Sequence, residues 1–316
     1  MSAIGTILAE EVDVLEWMLR NRMTKRILGS VVSSALMLAT TGFSQMDAKA
    51  SGVVTDVVEV DGARIEYFSQ GRGEAIVMLS GRGLNVGYLE PLAAELAKAG
   101  YRAIRINRRG AGKSTGQLTD ITYHTHAKDV SGVVLALGLK RVDILGQALG
   151  GRIARTFAAD YPSVTRSVIL VPGAGLIEAA PDEAKAMKAM FNPEATQAEI
   201  MTGMSYMVGD PEDRERVWKI VQPSSITDPA TLKSESTTTA PLADWWAPQG
   251  PMPYLVIQGL KDRSAPPENS RKLKQELGAR ATLVELPDAG HLAPVEYPNE
   301  VSAAIVTFLK RQEARP

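Results

Sequence analysis

From Val54 onward the chain alternates short apolar runs with segments of helical period, the pattern of strands separated by amphipathic helices. Val57–Val60 and Arg64–Phe68 flank Asp61-Gly62, a strong hairpin turn pair. Ala75–Leu79 is apolar without a break, as expected of a strand buried on both faces. A helix is predicted near Tyr88–Ala99, ending at Gly100, and then a strand over Arg102–Asn107. Further along, the pattern gives a helix over Thr122–Leu137, a strand over Val142–Leu145, a helix over Leu149–Asp160 that stops before Pro162, and a strand over Ser167–Val171. Strand–helix–strand order points to a parallel sheet covered on both faces.

Between Gly175 and about Pro251 the rhythm breaks. Met187, Met190, Met201, Met204, Met207, Trp218, Trp245 and Trp246 cluster here, some at helical spacing. They read chiefly as packing residues, and together as an inserted helical cap over about residues 176–250 with an apolar underside. Strands resume at Tyr254–Gln258 and Thr282–Leu286, and a last helix is predicted from about Glu300 to Gln312.

The first fifty residues differ in character. From Met23, a basic start (Lys25, Arg26), an apolar stretch from Ile27 to about Leu38 and the small-x-small site Ala48-Lys49-Ala50 give the three-part layout of a secretory signal over 23–50. The apolar run is too short for a span of about 20 residues, so export to a periplasmic or external compartment with no remaining membrane span is the expectation, and an uncleaved anchor is the alternative. Residues 1–22 read as an over-extended start, and 51–316 as the folded domain.

Composition narrows the chemistry. A formal charge of −1 provides no broad basic field for nucleic acid. No cysteine is present, so thiol nucleophiles and thiolate metal sites are excluded. Gly112-Lys113-Ser114 ends like a P-loop, but Asn107 stands where its first glycine belongs, and Gly81-Arg82-Gly83 begins a dinucleotide fingerprint in which Val86 replaces the third glycine. His124 and His126 lie two apart on a predicted helix and cannot share a face as metal ligands. No cofactor and no metal is expected.

Three segments carry the remaining chemistry. Val142–Leu145 runs through Gly146-Gln147-Ala148-Leu149-Gly150-Gly151 directly into a helix. This has the layout of a G-x-S-x-G nucleophile elbow, whose small residues allow a sharp turn that lifts the middle side chain above the sheet; here that side chain is a methyl group. Asp262 and His291 each follow a strand, in the order elbow, acid, histidine. Asp262 suits the role of fixing the imidazole tautomer, and His291 that of general base.

The region from Val54 to about Arg311 resembles the α/β-hydrolase superfamily, through the elbow, Ser80-Gly81-Arg82-Gly83, Asn107-Arg108-Arg109-Gly110-Ala111-Gly112-Lys113-Ser114, Tyr161-Pro162 and Ala289-Gly290-His291. The resemblance implies a mostly parallel sheet of eight-stranded type with helices on both faces, a helical cap, and an oxyanion hole made by the N–H groups of Arg82 and Leu149. Ser80, Asn107, Gln147 and Ala148 stand where the family commonly has His, Asp, His and Ser. Because Gln147 departs together with Ala148, a natural serine-free branch accounts for the alanine better than a laboratory knockout. Two functions stay open: hydrolysis of a small apolar ester- or amide-type substrate, with water in place of the missing hydroxyl, and retention of a small apolar ligand without turnover.

The leader is directly checkable. N-terminal sequencing of protein from its native host is expected to read from Ser51, and an exported form that keeps residues before Met23 contradicts this.

Overall fold

The computed structural model describes residues 52–314 except 174 and 193; the expected leader and the segment before it lie outside the described residues. The sheet is built from β1 (Val54–Val60), β2 (Ala63–Gly71), β3 (Ala75–Leu79), β4 (Arg102–Ile106), β5 (Val142–Ala148), β6 (Thr165–Gly173), β7 (Tyr254–Gly259) and β8 (Ala281–Leu286). These eight strands lie in the order β1-β2-β4-β3-β5-β6-β7-β8. β2 pairs antiparallel with both β1 and β4, and every other pairing is parallel. The turn at Asp61-Gly62 makes the β1–β2 hairpin, with Val60 opposite Ala63.

The two sheet faces bury separate sets of alternating side chains. Val77, Ile104, Ile144, Leu170 and Val256 pack beneath α2 (Tyr123–Ala136), α3 (Leu149–Asp160) and α9 (Glu268–Leu277). Ile76, Met78, Ala103, Leu145, Ile169 and Ile257 face the other way, against α1 (Glu90–Lys98) and α11 (Pro298–Glu313). Burial on both faces is why β3 and residues Tyr254–Ile257 of β7 read as continuous apolar runs. α1 is shorter than its pattern suggests, because Val86–Leu89 forms a 3-10 turn ahead of Pro91. Among the described residues, no helix is long and apolar enough to cross a membrane.

Between β6 and β7 lie α4 (Pro181–Ala189), α5 (Gln197–Met207), α6 (Arg214–Val221), α7 (Pro229–Thr237) and α8 (Leu242–Trp245). Met187, Met190, Met204, Met207 and Trp218 are buried together, continuous with the core on the α1–α11 side. Trp245 and Trp246 do not share that underside, contrary to the sequence expectation. They belong to the opposite core layer: Trp245 meets Tyr123 edge-on at 6.1 Å, and α8 packs on α3. An apolar pair at the end of an insertion carries no sign of which layer it fills, so the pattern could not separate the two.

The passage from β5 to α3 is tightly constrained backbone. Ala148 has φ 46° and ψ −111°, a region that side chains rarely occupy. The turn is tight enough that a Cβ on Gly146 would overlap the Gly150 carbonyl, and one on Gly150 would lie 2.5 Å from the Leu79 oxygen. Glycine at 146 and 150 is therefore a packing requirement. Such strain costs on the order of 1–3 kcal/mol and persists where its surroundings hold it. Ala148→Gly is expected to raise stability by about 1 kcal/mol in urea denaturation, and a loss of stability contradicts the strained assignment.

Candidate active site

The loops that leave β3, β5, β7 and β8 meet at the C-terminal edge of the parallel strands, where open α/β sheets leave a crevice. A cavity of about 410 Å³ opens there, lined by Arg82, Gln147, Ala148, Leu149 and His291 among others. Gly146, Gly150 and Gly151 form the turn beneath it, and α3 begins at Leu149, whose first-turn N–H has no acceptor within the helix.

Asp262 lies behind His291, buried, with its Oδ2 2.9 Å from Nδ1. Its Oδ1 accepts the N–H groups of Ser264 at 2.9 Å and Ala265 at 2.8 Å, which fixes the plane of the carboxylate. Nδ1–H donation to Asp262 turns Nε2 into the acceptor available for a proton. Burial disfavours the imidazolium, but the charge of Asp262 and its hydrogen bond outweigh this and raise the His291 pKa above its usual value. Residue 148 lines the cavity near His291 and contributes only a methyl group.

Gln147, known from sequence only as a departure, is a structural tie. Its Oε1 accepts from the Tyr88 hydroxyl at 2.9 Å, and its Nε2 donates to the His291 carbonyl at 3.2 Å. The Tyr88 hydroxyl in turn accepts the Gly81 N–H at 3.0 Å. One side chain thus joins the β3 loop, the β5 turn and the histidine loop. Arg108 holds the same β3 loop from the other side, donating to the Ser80 carbonyl at 2.6 Å and the Gly81 carbonyl at 2.9 Å. It is also paired with buried Glu235, whose Oε2 accepts the Gly83 N–H at 2.7 Å. Asn107 is no proton-transfer group: it accepts from the Val86 N–H and donates to Glu66.

The other two histidines lie apart from the cavity. His124 bridges Asp160 at 2.8 Å and Asp244 at 3.2 Å, and the Asp160 hydrogen bond leads the raising of its pKa. His126 is buried with neither ring nitrogen bonded among the described residues; burial, then Arg108 and Arg109, push its pKa down to about 3.

The sequence profile of the α/β hydrolase fold matches residues 74–298. The chain belongs to the α/β-hydrolase fold family. A relative in Comamonas testosteroni, 2-hydroxy-6-oxo-6-phenylhexa-2,4-dienoate hydrolase, is 28% identical over 268 residues, covering 78% of this chain and 92% of its own. Among solved structures, an enol-lactonase from Burkholderia xenovorans LB400 superposes with a TM-score of 0.67 at 25% identity, covering 81% of this chain and 100% of its own. An esterase from Exiguobacterium antarcticum, at 22% identity and a TM-score of 0.68, shares the fold over 81% of this chain and 100% of its own. The family match places the protein among α/β-hydrolase-fold proteins, and its own cavity of about 410 Å³ is of small-molecule size.

A second buried carboxyl ties the histidine loop to the helices above it. Glu296, in α10 (Ala293–Glu296), accepts the Gly209 N–H at 2.6 Å and the Gly290 N–H at 3.1 Å. Burial pushes its pKa up from 4.5 to about 7. A raised folded-state pKa means that its contribution is complete below about pH 4.5 and is lost as the pH rises to about 7. Neutral Glu296→Gln is thus expected to gain on the parent between pH 5 and pH 8, by up to about 3 kcal/mol in urea denaturation. A difference that does not move with pH contradicts this.

Proposed function

We propose that the protein hydrolyses a small, largely apolar ester- or amide-type substrate without a covalent intermediate, with His291 as general base. The observation that carries this is the buried 2.9 Å contact between Asp262 and His291, behind a cavity that His291 shares with Ala148. The place a serine hydroxyl would take is open to water. His291 Nε2 removes a proton from that water, and the oxygen attacks the carbonyl carbon. The resulting oxyanion is held by the N–H groups of Arg82 and Leu149; as it collapses back to a carbonyl, the bond from carbon to the alcohol oxygen or amine nitrogen breaks, and the imidazolium gives that leaving group its proton. Asp262 stabilises the imidazolium through Nδ1.

Leu84, Leu149, Met187, Phe191, Met207 and Leu292 line the cavity and support an apolar substrate body. The hydrolase name of the Comamonas testosteroni relative supports bond hydrolysis on a small molecule. One observation favours a second reading, a ligand-binding protein without turnover: Ala148 itself, since a methyl group attacks nothing.

Hydrolysis of a p-nitrophenyl ester panel tests the proposal. Turnover by the parent protein is expected to rise with pH through a midpoint above 6.5, because the base must be neutral and Asp262 raises its pKa. His291→Ala is expected to lose roughly 100-fold or more. Parent rates no higher than those of His291→Ala would replace the hydrolase reading with the binding one.

A further inference from the structure

Two guanidinium groups line the cavity beside Ala148 without a carboxylate partner. Arg82 follows β3 at the cavity mouth, and its exposed side chain makes no hydrogen bond or ion pair among the described residues. Arg152, in the first turn of α3, is half-buried and rigidly placed. Its Nη1 donates to the Tyr123 hydroxyl at 3.1 Å, its Nη2 reaches the Gly175 carbonyl at 3.4 Å, and its guanidinium stacks 4.6 Å from the centre of the Trp245 ring. Its Nε is buried and has no hydrogen-bond partner among the described residues. All three anchors of Arg152 are neutral, so its charge is positioned but not compensated. Desolvation, and then repulsion from Arg152, lower the Arg82 pKa, as expected for two cations facing one space.

The neighbouring carboxylates are committed elsewhere. Glu235 serves Arg108 and the Gly83 N–H, Asp262 serves His291, and Glu183 pairs with Arg263. The remaining charges on the cavity wall are exposed Lys188 and Glu178, which offset one another. The cavity therefore holds, at the start of α3, a pair of cations without a directly bonded carboxylate, where the helix dipole also favours negative charge.

We infer that Arg82 and Arg152 form a carboxylate-binding subsite, so that the ligand of this cavity is an organic acid with an apolar body. The guanidinium fork matches a carboxylate in two-point geometry, and partial desolvation strengthens the attraction relative to open water. Arg152 supplies the fixed half of the subsite and Arg82 the mobile half, which can close over an acid once it has entered. The inference rests on the hydrolase reading only for the claim that the bound acid is also a substrate.

Calorimetric titration with ω-phenylalkanoates, from phenylacetate to 5-phenylpentanoate, and with the matching neutral amides separates charge from shape. The parent is expected to prefer the best-bound acid over its amide by about tenfold or more, and to lose that preference as sodium chloride is raised. Arg82→Met, a change at an exposed side chain, is expected to weaken the acid about tenfold and leave the amide unchanged, whereas Arg82→Lys retains part of the preference. Equal binding of acid and amide, no binding of any acid at millimolar concentration, or an Arg82→Met variant that weakens both alike overturns the subsite. Acid-selective binding by a protein with no His291-dependent turnover would remove the hydrolase reading and leave the subsite standing. Turnover indifferent to the carboxylate would do the reverse.

Discussion

The rest of the site depends on how little room exists where β5 becomes α3. Ala148 is held at positive φ because Gly146 and Gly150 allow the strand end, the helix start and the end of β3 to touch at backbone distance. That closeness sets residue 148 at the crevice, starts α3 immediately at residue 149, and brings the β3 loop alongside. An alanine sits here in a geometry that glycine would adopt with less strain. A costly turn held in place at the crevice supports the proposed reading of the crevice as a working site.

Around that turn the polar groups form one connected scaffold. Tyr88 and Gln147 link the β3 loop to the histidine loop, Arg108 and Glu235 clamp the β3 loop against α7, and Glu296 fastens the histidine loop to the segment that follows α5. Each of these groups is buried, and each would be expensive to leave unpaired. The result is a set of loops tied to one another by the protein's own side chains. The helices above contribute through Glu235 and Gly209, so substrate-facing and scaffold-facing roles are mixed within the insertion.

Much of the fold was legible because its signals are local. Ala75–Leu79 and Leu149–Asp160 lie where the pattern places them, since a doubly buried strand and a helix bounded by an elbow and a proline leave marks in adjacent residues. α9 left no such mark: only Leu273 and Leu277 supply its apolar stripe, and its other buried positions include Asn269 and Ser270. In the site, the strand-end positions of Ala148, Asp262 and His291 could be read from their order. The partners that fix the loops could not. Arg108 and Glu235 are 127 residues apart and Tyr88 and Gln147 are 59 apart, and nothing local to either member points to the other. Gln147 was visible as an unusual neighbour of Ala148, but its bridging role needs the third dimension.

The proposed chemistry rests on a combination: a histidine with a raised pKa, a carboxylate bonded to it, N–H groups at the helix start, and a methyl group at residue 148. If the surrounding apparatus is complete, restoring the hydroxyl should be enough to create covalent chemistry. The most direct measurement is intact-protein mass spectrometry of Ala148→Ser mixed with p-nitrophenyl acetate and quenched at short times. An acetyl adduct that forms in a burst and is absent from the parent protein is the predicted result. A folded Ala148→Ser protein with no adduct and no faster release of p-nitrophenol would contradict the claim that this site lacks only its nucleophile.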